Sequence, residues 1–196
     1  MQSDALVLVD VQKDFCPGGS LAVQSGDAVV PVLNGYVRLF MSKSLPVFAT
    51  RDWHPHNHCS FTAYGGTWPP HCVQNTEGAR FHPDLRLPGT AVIISKATTP
   101  QEEAYSGFQG TDLAAMLRKL GVRRLFIGGL ATDYCVKNTV LDAAAAGFTA
   151  VLLMDAIRGV NLDPQDSQCA IEQMLGAGAF GITIEDIGQP ARAEQY

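Results

Sequence analysis

Apolar positions along the chain follow two rhythms that take turns. Short continuous runs rich in Val, Ile, Leu and Phe occur at residues 5–9, 47–50, 91–94, 124–127, 149–154 and 180–184. A strand buried on both faces reads as such a run rather than as alternation, which points to a parallel sheet. Between the runs, apolar residues recur at spacings of three and four. Val29, Leu33, Val37, Phe40 and Met41 form one stripe behind a capping Asp27. Leu113, Met116, Leu117 and Leu120 form a second, capped by Thr111 and stopped by Gly121. Val136, Val140 and Ala144 form a third, ending at Gly147. Ile171, Met174, Leu175 and Gly178 form a fourth, with Asp163 as cap and Pro164 at the first helical position. Strands alternating with helices predict an α/β fold, a three-layer α/β/α doubly wound sandwich around a six-stranded, mostly parallel sheet.

One stretch follows neither rhythm. Residues 62–90 carry much Pro, Gly and Thr and little periodicity. A long irregular segment inside a compact domain is usually functional. No repeat or interdomain linker interrupts the chain, and 196 residues suit a single domain over residues 1–196. The tail after Gln189 is polar and reads as loose.

Composition narrows the function classes. A net charge of -5 offers no basic surplus to neutralise phosphates, so no nucleic-acid partner is expected. Five Cys without a CxxC disfavour a disulfide framework and suit a reducing compartment. The run at residues 5–9 is too short for a signal peptide, and no run reaches the length of a membrane span. The expectation is a soluble cytoplasmic protein with no membrane partner; a homo-oligomer is compatible with the sequence.

Chemistry collects at the ends of the apolar runs, where open α/β sheets bind their ligands. Asp10 ends the first run and Lys96 follows the third. Cys135 sits where the fourth run hands over to a helix. A lone Cys is most often a packing residue. At a helix start beside an ammonium, however, a thiolate is favoured and an oxyanion can be held by unpaired N–H groups. If the strands are neighbours, Asp10 can take the thiol proton and pass it to a leaving amine, giving acyl transfer to Cys135 and then thioester hydrolysis. After the second run, Asp52 and His54 stand two apart in an extended segment and face the same way. A carboxylate with imidazole suits a divalent metal, with His71 as candidate third ligand. Beside a nucleophilic Cys, such a metal fits better as a substrate clamp than as a water activator. Trp68 either walls a pocket for a flat substrate or simply packs.

Read together, Val9-Asp10-Val11-Gln12-Lys13-Asp14-Phe15, Arg51-Asp52-Trp53-His54-Pro55, Trp68-Pro69-Pro70-His71-Cys72-Val73, Ser95-Lys96-Ala97 and Ala131-Thr132-Asp133-Tyr134-Cys135-Val136 resemble the nicotinamidases (pyrazinamidases) of the isochorismatase-like cysteine hydrolases. The resemblance runs over nearly the whole chain in the same order. It implies that fold and an amidase converting nicotinamide to nicotinate and ammonia in NAD salvage. It matches Asp10, Lys96 and Cys135 to the catalytic triad. It matches Asp52, His54 and His71 to the ligands of one divalent ion (Zn, alternatively Fe or Mn), with waters completing the shell. It also implies an oxyanion hole at the backbone N–H groups of Ala131 and Cys135, beside a cis peptide. Phe15, Leu21, Trp68 and Tyr105 match the walls of the ring pocket. Family members differ over whether a His at the place of His58 binds the metal, or a water held at the place of Ser60. Asn75 stands where Gly is expected, in a turn that Asn tolerates. Cys59 and Cys72 read as packing residues. Two rivals remain: an amidase of the same superfamily acting on carbamoyl or ureido groups, and a non-catalytic metal-binding or small-molecule-binding protein on this fold.

Overall fold

The computed structural model describes residues 4–188, so the expectation of a loose tail lies outside the described residues. Six strands form one sheet: β1 (Asp4–Val9), β2 (Val47–Asp52), β3 (Val92–Lys96), β4 (Arg124–Leu130), β5 (Thr149–Arg158) and β6 (Phe180–Ile182). Their order is β3-β2-β1-β4-β5-β6, and every pair is parallel. The helices are α1 (Val29–Ser42), α2 (Leu113–Lys119), α3 (Lys137–Ala145) and α4 (Asp166–Gly176).

Side chains of β1 alternate between two cores. Leu6 and Leu8 pack with Leu33, Tyr36 and Phe40 of α1, together with buried residues of the loops after β1 and β2. Ala5, Val7 and Val9 pack with Leu113 and Leu117 of α2, Val140 of α3 and Met174 of α4. Helices therefore cover both faces, and the middle strands are apolar throughout because neither face meets water. Each fully buried Leu or Val contributes about 1.5–3 kcal/mol relative to exposure. Among the described residues no helix is long and apolar enough to cross a membrane.

Several expectations shift at element ends. β5 runs past residue 154 to Arg158 and is irregular where Ile127 of β4 pairs Leu152 but Gly129 pairs Ile157. Asp155 stays within the strand because its carboxylate accepts the Tyr36 hydroxyl at 2.8 Å and the Ile184 N–H at 3.0 Å. β6 stops at Ile182 because Asp186 captures the N–H and hydroxyl of Thr183 in a turn. Helix α4 begins at Asp166, not at Pro164; Asp163 instead receives the Gln165 N–H and donates its own to Asp166, in a turn that leads into the helix. Met41, Met116, Leu120 and Leu175, read as core-facing, are exposed at the edges of their stripes. The segment between β2 and β3 has one short 3-10 turn, Thr62–Tyr64, and isolated bridges that tie Gln12 to Phe81, His54 to Val73 and Phe61 to Trp68. Asn75 takes φ 65, the left-handed conformation its turn needs.

Candidate active site

The sheet order reverses direction around β1 and β4, and there the strand ends open a crevice. Register does the first part of the assembly. Asp52 pairs with Lys96 directly across β2 and β3, and Val9 pairs with Gly129 across β1 and β4. Asp10, one residue past β1, turns sharply with φ 49, and Thr50 donates its hydroxyl to the Asp10 Oδ1 at 2.7 Å. Gly129 takes φ 132, and a Cβ there would lie 2.1 Å from the Val9 carbonyl oxygen, so only glycine fits between these strands. After a cis peptide between Leu130 and Ala131, the chain makes a π turn, Thr132–Val136, before α3 begins. Asp133 fixes this turn by accepting the N–H groups of Val160 (2.9 Å) and Asn161 (2.7 Å).

Asp10, Lys96 and Cys135 meet at this point. The Lys96 Nζ is 2.9 Å from the Asp10 Oδ2 and donates to the Cys135 Sγ at 3.5 Å, to the Ala104 carbonyl at 3.1 Å and to the Asp52 Oδ1. All four side chains are buried. Burial works against the Lys96 charge, but the two carboxylates outweigh it and hold the ammonium well above its usual range. Burial raises Asp52, yet the Lys96 ammonium leads the neighbours that bring it well below the usual carboxylate range. Asp10 ends higher than an ordinary Asp, because burial outweighs the pull of Lys96. The thiol differs from the sequence expectation. Cys135 lies within the π turn rather than at the first turn of an α-helix, and burial with the Asp10 and Asp52 charges pushes it up, against Lys96. Two carboxylates already share the Lys96 ammonium, which leaves less of its charge to favour a thiolate.

A second cluster shares Asp52. Its Oδ2 faces away from Lys96, 3.5 Å from the His54 Nε2 and 4.0 Å from the His71 Nε2. One ligand atom from each residue lies within 4.8 Å of the others. The His54 Nδ1 is 3.3 Å from the Ala97 carbonyl and the His71 Nδ1 is 2.8 Å from that of Pro69. Donation there leaves each Nε2 lone pair facing the cluster, the arrangement that outer-shell carbonyls impose on metal-binding imidazoles. The His54 Nε2 is buried and has no hydrogen-bond partner among the described residues. Burial lowers the His71 pKa against the pull of Asp52, which favours the neutral ring. An orphaned buried imidazole nitrogen, a second buried imidazole and a carboxylate fit a divalent cation. The His58 ring packs against that of His54, centroids 4.2 Å apart, but its Nε2 is 3.1 Å from the Glu102 carbonyl and its Nδ1 2.7 Å from the Ser60 hydroxyl, so both ring nitrogens are engaged by protein.

The two clusters border one cleft. Phe15, Leu21, Trp68, Tyr105 and Ala131 line it with Asp52, His54, His71 and Cys135. The Trp68 indole N–H donates to the Tyr105 hydroxyl at 3.0 Å and joins the loops after β2 and β3 across the opening. Glu103, Tyr134 and Val160 also line it, and the sequence reading missed all three. Tyr134 adjoins Cys135 in the motif at residues 131–136 but carries no role there; the π turn that aims it into the cleft leaves no periodic trace. Val160 follows the unforeseen end of β5. Glu103 sits in a polar loop, where a carboxylate reads as solvated. Gln12 was also missed. Its Oε1 accepts the Asp52 N–H at 2.8 Å, and its Nε2 donates to the carbonyls of Asp52 (2.8 Å) and Ala79 (2.9 Å).

Residues 4–186 match the isochorismatase domain. The chain is 42% identical to the nicotinamidase of Escherichia coli, over 95% of this chain and 97% of that one. It is 40% identical to the nicotinamidase/pyrazinamidase of Mycobacterium tuberculosis, over 88% and 95%. A crystal structure of the pyrazinamidase of Pyrococcus horikoshii in complex with zinc superimposes with a TM-score of 0.89 at 52% identity, over 93% of this chain and 99% of that one.

Proposed function

Since the chain belongs to the isochorismatase domain family, we propose that it is a metal-dependent cysteine amidohydrolase converting nicotinamide, and also pyrazinamide, to the acid and ammonia in NAD salvage. The observation that carries the reading is that one cleft is bordered both by the Asp10–Lys96–Cys135 cluster and by Asp52, His54 and His71. A hydrolase of carbamoyl or ureido groups needs the first cluster and has no use for the second. A non-catalytic binding protein has no use for the first.

Cys135 rests as a thiol, so it loses its proton as it attacks. Asp10, raised by burial, is a stronger base than an exposed carboxylate and takes that proton. A bond forms between the Cys135 Sγ and the amide carbon. The backbone N–H groups of Ala131 and Cys135 receive the oxyanion, each such donor being worth roughly 10²–10³ in rate. Protonated Asp10 then gives its proton to the nitrogen, the C–N bond breaks, and ammonia leaves a thioester on Cys135. Water attacks the thioester as Asp10 takes one of its protons, and the proton returns to sulfur as the acid departs. Lys96 holds the Asp10 carboxylate in register and stays charged throughout. Asp52, His54 and His71 would hold one divalent ion, zinc or alternatively iron or manganese, with waters as further ligands. When bound, the ion supplies a Lewis acid that clamps the ring nitrogen of the substrate. Phe15, Leu21, Trp68 and Tyr105 sandwich the ring. Five free cysteines support a reducing, cytoplasmic setting.

The test is ammonia release over nicotinamide, pyrazinamide, benzamide and carbamoyl and ureido acids, with metal analysis of the same sample. Turnover of the ring-nitrogen amides by protein carrying one divalent ion is expected. Turnover confined to carbamoyl or ureido substrates would overturn the reading.

A further inference from the structure

We propose that Asp14 is a positioning residue whose carboxylate ties the segment bearing His71 to the segment bearing Leu21, setting the metal side of the cleft against its ring wall. The inference rests on the reading of Asp52, His54 and His71 as the metal-holding residues.

Asp14 lies in the short turn Lys13–Phe15, outside the catalytic cluster and outside the cleft wall. Its Oδ2 accepts the Cys72 N–H at 2.7 Å and its Oδ1 accepts the Ser20 N–H at 3.2 Å. The main chain repeats the pattern: the Asp14 N–H donates to the Gly78 carbonyl at 3.0 Å, and the Asp14 carbonyl accepts the Leu21 N–H at 3.0 Å. Every polar group of this residue therefore joins one of two segments, residues 20–21 or residues 72–78.

Cys72 gives the tie its consequence. The residue is fully buried and has φ 45, a conformation uncommon for a side-chain-bearing residue. Its N–H belongs to the peptide unit that begins at His71, so the acceptor for that N–H fixes the plane from which the imidazole projects. A carboxylate acceptor is stronger than a neutral one and sustains a backbone conformation that would otherwise relax. On the other flank the Pro69 carbonyl holds the His71 Nδ1. The ring of Phe15, next to Asp14, stands 5.6 Å from that of His71. Gly78 completes the seat: a Cβ there would lie 2.1 Å from the Asp14 Oδ2, so the carboxylate occupies the space that a side chain would fill.

Zinc affinity of the full chain, measured by competition with a chromophoric chelator, tests this together with kcat and KM for nicotinamide and melting of the metal-free protein. Asp14→Ala is expected to weaken zinc binding about 10–100-fold, the usual effect of losing an outer-shell partner of a metal ligand, and to raise KM more than it lowers kcat. Asp14→Asn keeps one acceptor oxygen and is expected to fall between Ala and wild type. Gly78→Ala leaves Asp14 in the sequence but displaces its carboxylate, and is expected to reproduce the loss. Gly89→Ala, where a Cβ meets nothing within 4 Å, is the control and should bind zinc as wild type does. Wild-type zinc affinity and KM in both Asp14→Ala and Gly78→Ala, with only melting lowered, would overturn the inference and leave Asp14 a structural tie. A wild-type protein that binds no divalent metal would instead bring down the metal reading, and the inference with it.

Discussion

Lys96 donates to the Asp52 carboxylate and the Cys135 thiol and forms an ion pair with Asp10, buried away from water. Taking an ion out of water costs several kcal/mol, which opposite charges offset only in good geometry. Lys96→Met would leave Asp10 and Asp52 facing each other unpaired. It is expected to lower the unfolding free energy by about 3–5 kcal/mol, read by urea denaturation at pH 7, and to stop ammonia release. Stability equal to wild type would mean that the ammonium does not hold the carboxylates. Thr50 tests the base. Burial raises Asp10, while Lys96 and the Thr50 hydroxyl lower it. Thr50→Val removes one lowering influence, so Asp10 takes up its proton at a higher pH. The acid limb of kcat/KM against pH is then expected to move upward; a limb that stays or moves down takes Asp10 out of the role of base. Asp10 and Lys96 were legible in the sequence because each ends an apolar run, and strand ends are where this fold class binds ligands. Thr50 and Gln12 were not, since their hydrogen-bond partners lie forty residues away and no local pattern records them.

The elements were easier to read in their middles than at their ends. The apolar runs identified all six strands; in the middle ones, covered on both faces, no polar alternation interrupts the run, while the edge strands β3 and β6 are apolar though partly exposed. The end of β5 escaped because Asp155 is satisfied by Tyr36 and Ile184, which belong to distant elements. The π turn escaped because the Val136 and Val140 spacing fits an α-helix that starts earlier; only backbone hydrogen bonds separate the two, such as that from the Val136 N–H to the Ala131 carbonyl at 3.0 Å. At the junction of β1 and β4, Gly129→Ala forces a Cβ against the Val9 backbone, which cannot swing aside as a side chain can. The expected result is a loss above about 3 kcal/mol, in the tail of single-substitution effects, read as a lowered melting temperature. Gly147→Ala strains a positive φ but meets open space, and should cost only about 1 kcal/mol. Equal melting of the two variants would mean that close strand approach is not what requires glycine at residue 129.

Across the whole molecule, the cleft exists because segments far apart in sequence end at one rim of the sheet. Strand ends supply Asp10, Asp52 and Lys96; the segment between β2 and β3 supplies His54, Trp68 and His71; the turn after β4 supplies Cys135. Residues 62–90 lacked periodicity, and their length marked them as a segment kept for a site. Their path was not legible, because it is fixed by long-range ties such as the Asp14 carboxylate to the Cys72 N–H. This division of labour separates two losses. Stripping the metal with a chelator is expected to weaken nicotinamide binding strongly while the protein, with its two buried cores, stays folded by circular dichroism. Removing the sulfur should leave fold, metal and amide binding in place and stop turnover. The most direct measurement is kcat for ammonia release from nicotinamide by metal-loaded Cys135→Ala, with nicotinamide binding and metal content recorded on the same sample. Release at background with metal and amide still bound is the expected result; turnover near the wild-type rate would contradict a nucleophilic Cys135.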